Sequence, residues 1–213
     1  SLEQYLHTSP EFYMKDLLSK GFKNIFTLSY SFRDEPRSTL HRNQFVMLEW
    51  YRDQSRYELI MEDLQQLLQF CFDYFKKNNL TLHSDLQSQK KIIIKKKTIQ
   101  ELFQETLDID ILDYLDPRKL KLLIKENFKD VPIPEEELTF EDYFFLLFLN
   151  KIEPLLIKEP FIILYQYPAP LKALSTLKKE DPRVCERFEL YAYGIELCNS
   201  FQVKVQLNKI HLD

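Results

Sequence analysis

Four side chains in a short stretch of the chain have the types and spacing needed to hold a nucleotide. Arg33 and Glu35 lie two residues apart at the end of an alternating segment, and His41 and Phe45 follow a polar loop. An arginine binds a phosphate through a planar fork of donors, and an aromatic ring can stack on a base whose amino group bonds to a carboxylate. Residues i and i+2 of a strand share one face. The stretch therefore predicts an antiparallel hairpin that binds a nucleotide.

Two carboxylates near the other end of the chain could hold a metal ion. Glu189 and Glu196 flank a turn at Gly194, so they would lie on adjacent strands and could face one pocket. Carboxylate oxygens together with phosphate oxygens are typical ligands of magnesium. Each of these residues also has an ordinary alternative. The glutamates could be exposed strand residues, Arg33 could form a surface ion pair, and His41 could be a solvated loop side chain.

The elements that must position these residues follow from hydrophobic spacing and from turn residues. Residues 9–20 are predicted to form a helix with Ser9 as N-cap, and residues 57–78 form a long amphipathic one. The chain alternates apolar and polar residues at the first two predicted strands. The predicted strands are Ile25–Phe32, Phe45–Tyr51, Phe161–Tyr167 and Phe188–Leu197, expected in one sheet, and further helices are predicted at Thr98–Thr106, Pro117–Phe128 and Phe140–Ile152.

Composition excludes several classes of protein. The 213 residues are 45% hydrophobic with a net charge of -4, which is ordinary for a soluble domain and argues against a general nucleic-acid surface. Only two glycines occur, so a P-loop or a Rossmann phosphate loop is excluded. The three cysteines do not have the spacing of metal ligands. No apolar run is long enough to span a bilayer, and no signal peptide is found. We therefore predict a cytoplasmic protein without a membrane partner. The lysine-rich run 90–97 is expected to be an exposed strand or helix edge.

The order of the motifs resembles that of class II aminoacyl-tRNA synthetases, in the lysine-specific branch. The chain is more narrowly similar to the short members of that branch that attach a lysine-type amino acid to elongation factor P. The segments that carry the resemblance are 6–15 with Thr8-Ser9-Pro10-Glu11, 32–52, the turn Tyr167-Pro168-Ala169, and 181–201 with Glu186-Arg187-Phe188-Glu189. The resemblance implies an α/β (α+β) fold, an antiparallel sheet flanked by helices.

The resemblance also implies a role for each candidate residue. Arg33 would be the catalytic residue and would bind ATP together with Glu35, His41 and Phe45. Magnesium would be bound by Glu189 and Glu196. The amino acid would be bound by four side chains: Glu11, Tyr51, Asn199 and Phe201.

The sequence departs from the family pattern in the amino-acid pocket. Val203 stands where lysine-specific relatives have a glutamate for the side-chain ammonium, and Cys198 and Ser200 stand where the family has smaller residues. Moving an ammonium from water into a closed pocket without a partner carboxylate costs on the order of several kcal/mol of desolvation free energy. The family's first and third motifs are not found. Residues 1–213 are therefore expected to form a single, partial catalytic domain that is truncated at both ends.

The leading prediction is an ATP-dependent ligase that activates a lysine-like amino acid as an adenylate and transfers it to elongation factor P. Two alternatives remain open. One is a fragment of a lysyl-tRNA synthetase, with tRNA as the acceptor. The other is a degenerate paralogue that binds only ATP or a partner protein, which Val203 and the missing third motif favour. The resemblance leaves open whether the protein forms a homodimer.

Overall fold

A computed structural model describes residues 5–34, 36, 38 and 41–203 of the chain. The chain divides between Ser55 and Arg56 into two compact units, and each is described by itself. Both contain antiparallel strands, and helices precede or connect the strands, so the predicted fold class is confirmed. In the part of the chain that the structure describes, no helix combines the length and the apolar character needed to cross a membrane.

The described residues of the first unit form one helix and one β-hairpin. Helix α1 spans Glu11–Ser19, strand β1 spans Asn24–Phe32 and strand β2 spans Gln44–Arg52. Pro10 and not the predicted Ser9 is the N-cap, so the helix begins one residue later than predicted, and the Ser9 hydroxyl accepts a hydrogen bond from the backbone N–H of Glu11 at 3.1 Å. The two strands pair antiparallel along their whole length. The predicted hairpin is therefore confirmed.

The two faces of this hairpin differ in an unexpected way. One face carries Thr27, Ser29 and Ser31 opposite Glu49, Met47 and Phe45, and these side chains are buried or half-buried. The other face is apolar and exposed. We call it the apolar hairpin face, and its exposed members are Phe26, Leu28, Tyr30, Val46 and Leu48. The polar face that carries the candidate residues is thus the covered one.

The second unit contains most of the helices and a four-stranded sheet. Its helices are α2 (Tyr57–Lys77), α3 (Ser84–Gln87), α4 (Ile99–Leu107), α5 (Pro117–Asn127), α6 (Phe140–Lys151) and α7 (Glu153–Leu156). Its strands are β3 (Lys95–Thr98), β4 (Ile162–Tyr165), β5 (Arg187–Ala192) and β6 (Ile195–Phe201), and short 3-10 helices lie at Ile111–Tyr114 and Ala169–Leu171.

Helix α6 lies at the centre of the second unit's core. Thr139 caps it, because its hydroxyl accepts from the backbone N–H of Asp142 while the Asp142 carboxylate accepts from the backbone N–H of Thr139. Phe144 is fully buried and packs its ring on Phe103 and Tyr167, at centroid distances of 5.4 Å and 6.4 Å. The core therefore reaches β4's C-terminal end, where Tyr167 begins the next turn.

The strand order in the second sheet is β3-β4-β5-β6. Strands β4, β5 and β6 are antiparallel, whereas β3 pairs parallel to β4. A parallel pair needs a long crossover, and helices α4 to α7 provide it. In the lysine-rich run, Lys95 and Lys97 form ion pairs with Glu159 and Glu105, as expected of an exposed edge.

The expectation that all predicted strands form one sheet is wrong for the described residues. The hairpin β1–β2 forms a sheet of its own, and the later strands form another. Alternation of apolar and polar residues shows that a segment is a strand, but it contains no information about which strand it pairs with. Turns supplied that information for β1 with β2 and for β5 with β6, whereas no local pattern supplied it for β3 with β4 or for β4 with β5.

Candidate functional site

In the first unit, Arg33 and Phe45 come together at the end of the hairpin where the loop joins the two strands. The Arg33 guanidinium carbon lies 5.4 Å from the centroid of the Phe45 ring, within cation–π distance. The strand ends are closed by two hydrogen bonds between Arg33 and Asn43, at 2.9 Å and 3.1 Å. The guanidinium thus lies over the ring at one end of the hairpin, and the roles of both side chains in nucleotide binding stay predictions. Glu35, the predicted partner of the base, lies outside the described residues.

His41 lies in the exposed loop that joins β1 to β2. Its ring nitrogen Nδ1 is 3.0 Å from the hydroxyl of Ser38, and its backbone N–H donates to the same hydroxyl at 3.0 Å. These contacts fix the ring by local bonds within the loop. Its predicted role at the terminal phosphates stays a prediction.

Tyr51 and Glu11, both predicted to bind the amino acid, are electrostatic neighbours in the first unit. The Tyr51 hydroxyl donates to Oε2 of Glu49 at 3.0 Å. Burial is the main cause that raises the pKa of Tyr51 far above its ordinary value, followed by the carboxylates of Glu49 and Glu11. The phenol therefore stays protonated. Glu11 also forms an ion pair with Lys15 at 2.5 Å.

Glu49 is a candidate that the sequence reasoning missed. It shares the face of Phe45 and Tyr51, since all three lie at alternate positions of β2. The pattern that could have found it is the spacing of a carboxylate two residues before a tyrosine on the same strand. Two carboxylates beside one protonated phenol provide acceptors for a cationic amino group.

In the second unit, Glu189 is buried at the centre of a hydrogen-bonded network. Its side chain is 2% exposed. Oε2 accepts from the hydroxyls of Tyr167 at 2.5 Å and Tyr191 at 2.7 Å, and Oε1 accepts from the guanidinium of Arg187. Burial, followed by the Glu189 charge, raises the pKa of both tyrosines well above the ordinary range, so both hydroxyls are donors. Three hydrogen bonds, two to Oε2 and one to Oε1, thus hold the Glu189 carboxylate in place.

Asn199 lies directly opposite Glu189 on the neighbouring strand. Its Oδ1 accepts from Nε of Arg187 at 3.2 Å. A guanidinium has no acceptor, so the amide oxygen must face Arg187 and the NH₂ group points elsewhere. Phe201 lies opposite Arg187, and cross-strand partners share a face. The structure therefore brings Glu189, Asn199 and Phe201 onto one face of the sheet.

A bulge in β6 brings Glu196 onto the same face. The strands β5 and β6 meet in a two-residue turn at Tyr193 and Gly194, whose φ angles are 49° and 80°. From this turn Tyr191 pairs with Glu196, whereas Leu190 pairs with Cys198, so Leu197 is the extra residue. Without the bulge, the side chain of Glu196 would point to the opposite face. Glu196 is exposed.

Glu189 and Glu196 share one face of the sheet, and carboxylate oxygens are ligands that magnesium accepts beside water and phosphate. Glu196 is exposed, and Oε1 of Glu189 accepts one hydrogen bond in the network, which leaves one lone pair for a metal. Among the described residues no group of three or more His, Cys, Asp or Glu could hold a metal ion by itself. A metal here would therefore depend on oxygens of a bound phosphate.

Two residues that depart from the family pattern are also described. Burial raises the pKa of the Cys198 thiol to about 12, so it is neutral and unreactive at physiological pH. Val203 is half-buried. Its neighbour Gln202 is held by backbone hydrogen bonds to Thr176 and Glu186, at 2.9 Å and 2.8 Å. Position 203 thus belongs to an ordered segment that provides no carboxylate.

Comparison with known proteins adds a family to this geometry. A family model for class II tRNA synthetases (D, K and N) matches residues 2–209. A Hamiltonella defensa protein named elongation factor P--(R)-beta-lysine ligase is 32% identical over 201 residues, or 94% of this chain and 56% of that protein. A Salmonella arizonae protein of the same name is 34% identical over 197 residues, or 92% of this chain and 55% of that protein. The chain thus spans about half the length of the curated relatives it matches.

Proposed function

Because the chain belongs to the class II tRNA synthetase family, in the group of the aspartate, lysine and asparagine enzymes, we propose that it activates a lysine-like amino acid with ATP and attaches it to elongation factor P. The observation that carries the proposal is the placement of Arg33 against Phe45 on a hairpin face that also bears Tyr51 and Glu49. The names of the similar ligases supply the acceptor and the amino-acid class. Residues 1–213 would form part of one catalytic domain.

In the first step, an oxygen of the amino-acid carboxylate attacks the α-phosphorus of ATP. A new bond forms between that oxygen and phosphorus, and the bond to the pyrophosphate group breaks. Arg33 donates to the α-phosphate and neutralises the charge that develops there. Phe45 stacks on adenine, and Glu35 accepts from the adenine amino group. His41 binds the terminal phosphates. The reaction needs no protein nucleophile, because the reactants are held in line.

The cationic groups of the amino acid would be held by the acceptors near Tyr51. The charges of Glu11 and Glu49 both raise the pKa of the Tyr51 phenol, and two carboxylates near it would attract an ammonium group. In the second unit, the resemblance assigns Asn199 and Phe201 to the amino acid, and the NH₂ group of Asn199 points away from Arg187. Magnesium bound at Glu189 and Glu196 would neutralise phosphate charge.

In the second step, the amino group of a lysine on elongation factor P attacks the carbonyl carbon of the adenylate. An amide bond forms, the bond to AMP breaks, and the attacking nitrogen loses a proton. A reaction that consumes ATP and modifies a translation factor takes place in the cytoplasm, which is where we propose the protein acts.

The first test measures activation. ATP–pyrophosphate exchange is measured with L-lysine and with (R)-β-lysine, and ATP binding by calorimetry. Because Val203 replaces a carboxylate, we expect exchange with L-lysine to be slow or absent. Replacing Arg33 by alanine should lower the exchange rate with whichever of the two amino acids the wild-type protein activates by roughly 10²- to 10³-fold. Arg42→Ala is the matched control, since Arg42 is an exposed arginine of the same loop, and it should leave the rate unchanged.

Equal rates for the two variants would contradict the role of Arg33, and a protein that binds no ATP would overturn the proposal of adenylation. The acceptor is tested separately, by offering the activated amino acid to elongation factor P and to lysine tRNA. Label on the tRNA alone would favour a lysyl-tRNA synthetase. ATP binding without exchange for either amino acid would favour a paralogue that binds but does not catalyse, which is the alternative that Val203 supports.

A further inference from the structure

The second unit contains an arginine that the proposed chemistry does not use, although it touches two of the candidate residues. Arg187 is largely buried, with 12% of its side chain exposed. Its three kinds of nitrogen have three different partners. One terminal nitrogen donates to Glu189, Nε donates to Oδ1 of Asn199 at 3.2 Å, and the other terminal nitrogen donates to the carbonyl of Leu171 at 3.1 Å.

These contacts join three separate segments of the chain. Glu189 is on β5, Asn199 is on β6, and Leu171 ends the 3-10 helix that follows the turn Tyr167-Pro168-Ala169. The guanidinium carbon of Arg187 also lies 4.8 Å from the centroid of the Tyr167 ring. A planar fork with donors in fixed directions can hold several acceptors at once, which a single ammonium cannot.

We propose that Arg187 is a positioning residue, which together with Tyr167 and Tyr191 holds Glu189 for a metal and Asn199 for the amino acid. The inference rests on the proposed function of those two residues. The hydroxyls of Tyr167 and Tyr191 use the acceptor positions of Oε2, so a metal can be bound only through Oε1. The guanidinium fixes the direction of that oxygen and, through Nε, the direction of the Asn199 amide.

The arrangement explains why the turn Tyr167-Pro168-Ala169 belongs with the site although it bears no ligand. Tyr167 supplies one hydroxyl to Glu189 and the ring beneath Arg187, and the 3-10 helix that begins at Ala169 supplies the Leu171 carbonyl. Outer partners of this kind orient the groups that touch a metal, and their loss typically lowers metal affinity by about 10- to 100-fold.

The test compares Arg187→Lys and Tyr167→Phe with a matched control. Tyr165→Phe removes a hydroxyl from the same segment, but Tyr165 pairs with Phe188 and so points to the face opposite Glu189. ATP binding is measured by calorimetry in the presence of Mn²⁺ and again with EDTA, and Mn²⁺ binding is followed by its EPR signal. Thermal denaturation of each variant reports whether it is folded.

In the wild-type protein we expect Mn²⁺ to increase the affinity for ATP. In Arg187→Lys and in Tyr167→Phe this increase should fall by roughly 10- to 100-fold, while affinity in EDTA stays the same. Tyr165→Phe should behave as wild type. Tyr167→Phe keeps both charges and the aromatic ring, so it serves even where the arginine variant does not fold.

Three outcomes would contradict the metal role of Glu189 or the positioning role of Arg187, and the measurements distinguish them. A wild-type protein whose ATP affinity is unaffected by Mn²⁺ would overturn the metal role of Glu189 and, with it, the positioning role of Arg187. A wild-type effect that both variants retain would overturn the positioning role alone. Equal losses with Mn²⁺ and with EDTA would show a merely structural role, because general loosening of the fold weakens both kinds of binding.

Discussion

The burial of Glu189 makes a stability prediction that separates it from Glu196, although both are proposed metal ligands. In Glu189→Gln the buried guanidinium of Arg187 loses its counter-charge. The new NH₂ group accepts nothing, so it either meets the Arg187 donor or makes the two tyrosine hydroxyls give up the bonds they now donate. Removing one partner of a buried ion pair typically costs about 3–5 kcal/mol. Glu196 is exposed, and exposed substitutions usually change stability by less than about 0.5 kcal/mol.

The assay is thermal denaturation at neutral pH, followed by circular dichroism. For a chain of this size each kcal/mol lowers Tm by roughly 2–4 °C. Glu189→Gln should therefore lower Tm by roughly 6–20 °C, whereas Glu196→Gln should barely change it. Both should weaken the effect of Mn²⁺ on ATP binding. Equal Tm values for the two variants would refute the reasoning, because they would show that the Glu189 network does not hold a buried charge.

Two further predictions concern thiols and the core. In the native protein at about pH 8, a thiol reagent should modify Cys71, which is exposed. Cys198 has its pKa raised to about 12, so only ~10⁻⁴ of its thiol is ionised and it should react only after unfolding. A fast phase of modification that survives Cys71→Ser would contradict this. Phe144→Ala should cost about 3–5 kcal/mol in urea denaturation. Phe145→Ala, at a half-buried position one residue later, should cost clearly less, and equal costs would contradict the central place of Phe144.

The local elements could be predicted from the sequence because their determinants are local. The strands β1 and β2 follow from alternation over nine residues each, and the polar loop between them fixes their pairing. Thr139 followed by Asp142 marks the start of α6 through a capping box. These patterns act within a few residues, so the sequence contains them directly.

The long-range pairing could not be predicted in this way. The parallel partnership of β3 with β4 joins strands separated by four helices, and no local pattern specifies it. The bulge at Leu197 is a second example. The sequence indicated a turn at Gly194 but not the extra residue that brings Glu196 onto the face of Glu189.

The candidate site was predicted in its residue types more fully than in its environment. The sequence indicated Arg33 and Phe45, and the structure places them within cation–π distance. The sequence did not indicate that Glu189 is buried. Its hydrogen-bond partners are Tyr167, which follows β4, and Tyr191 on β5, and only the fold brings them together. Arg187 was missed for the same reason, because its importance arises from contacts, whereas the spacing of Glu49 from Tyr51 could have indicated Glu49.

The apolar hairpin face determines how this polypeptide should behave at high concentration. Phe26 and Leu28 are 76% and 66% exposed, and they lie beside other apolar side chains on one ribbon. Contiguous apolar surface of this kind favours association between molecules. Colloidal stability, and not folding, is therefore expected to limit the concentration at which these 213 residues stay in solution. Lysine in place of Phe26 or Leu28 should raise that limit without unfolding the chain.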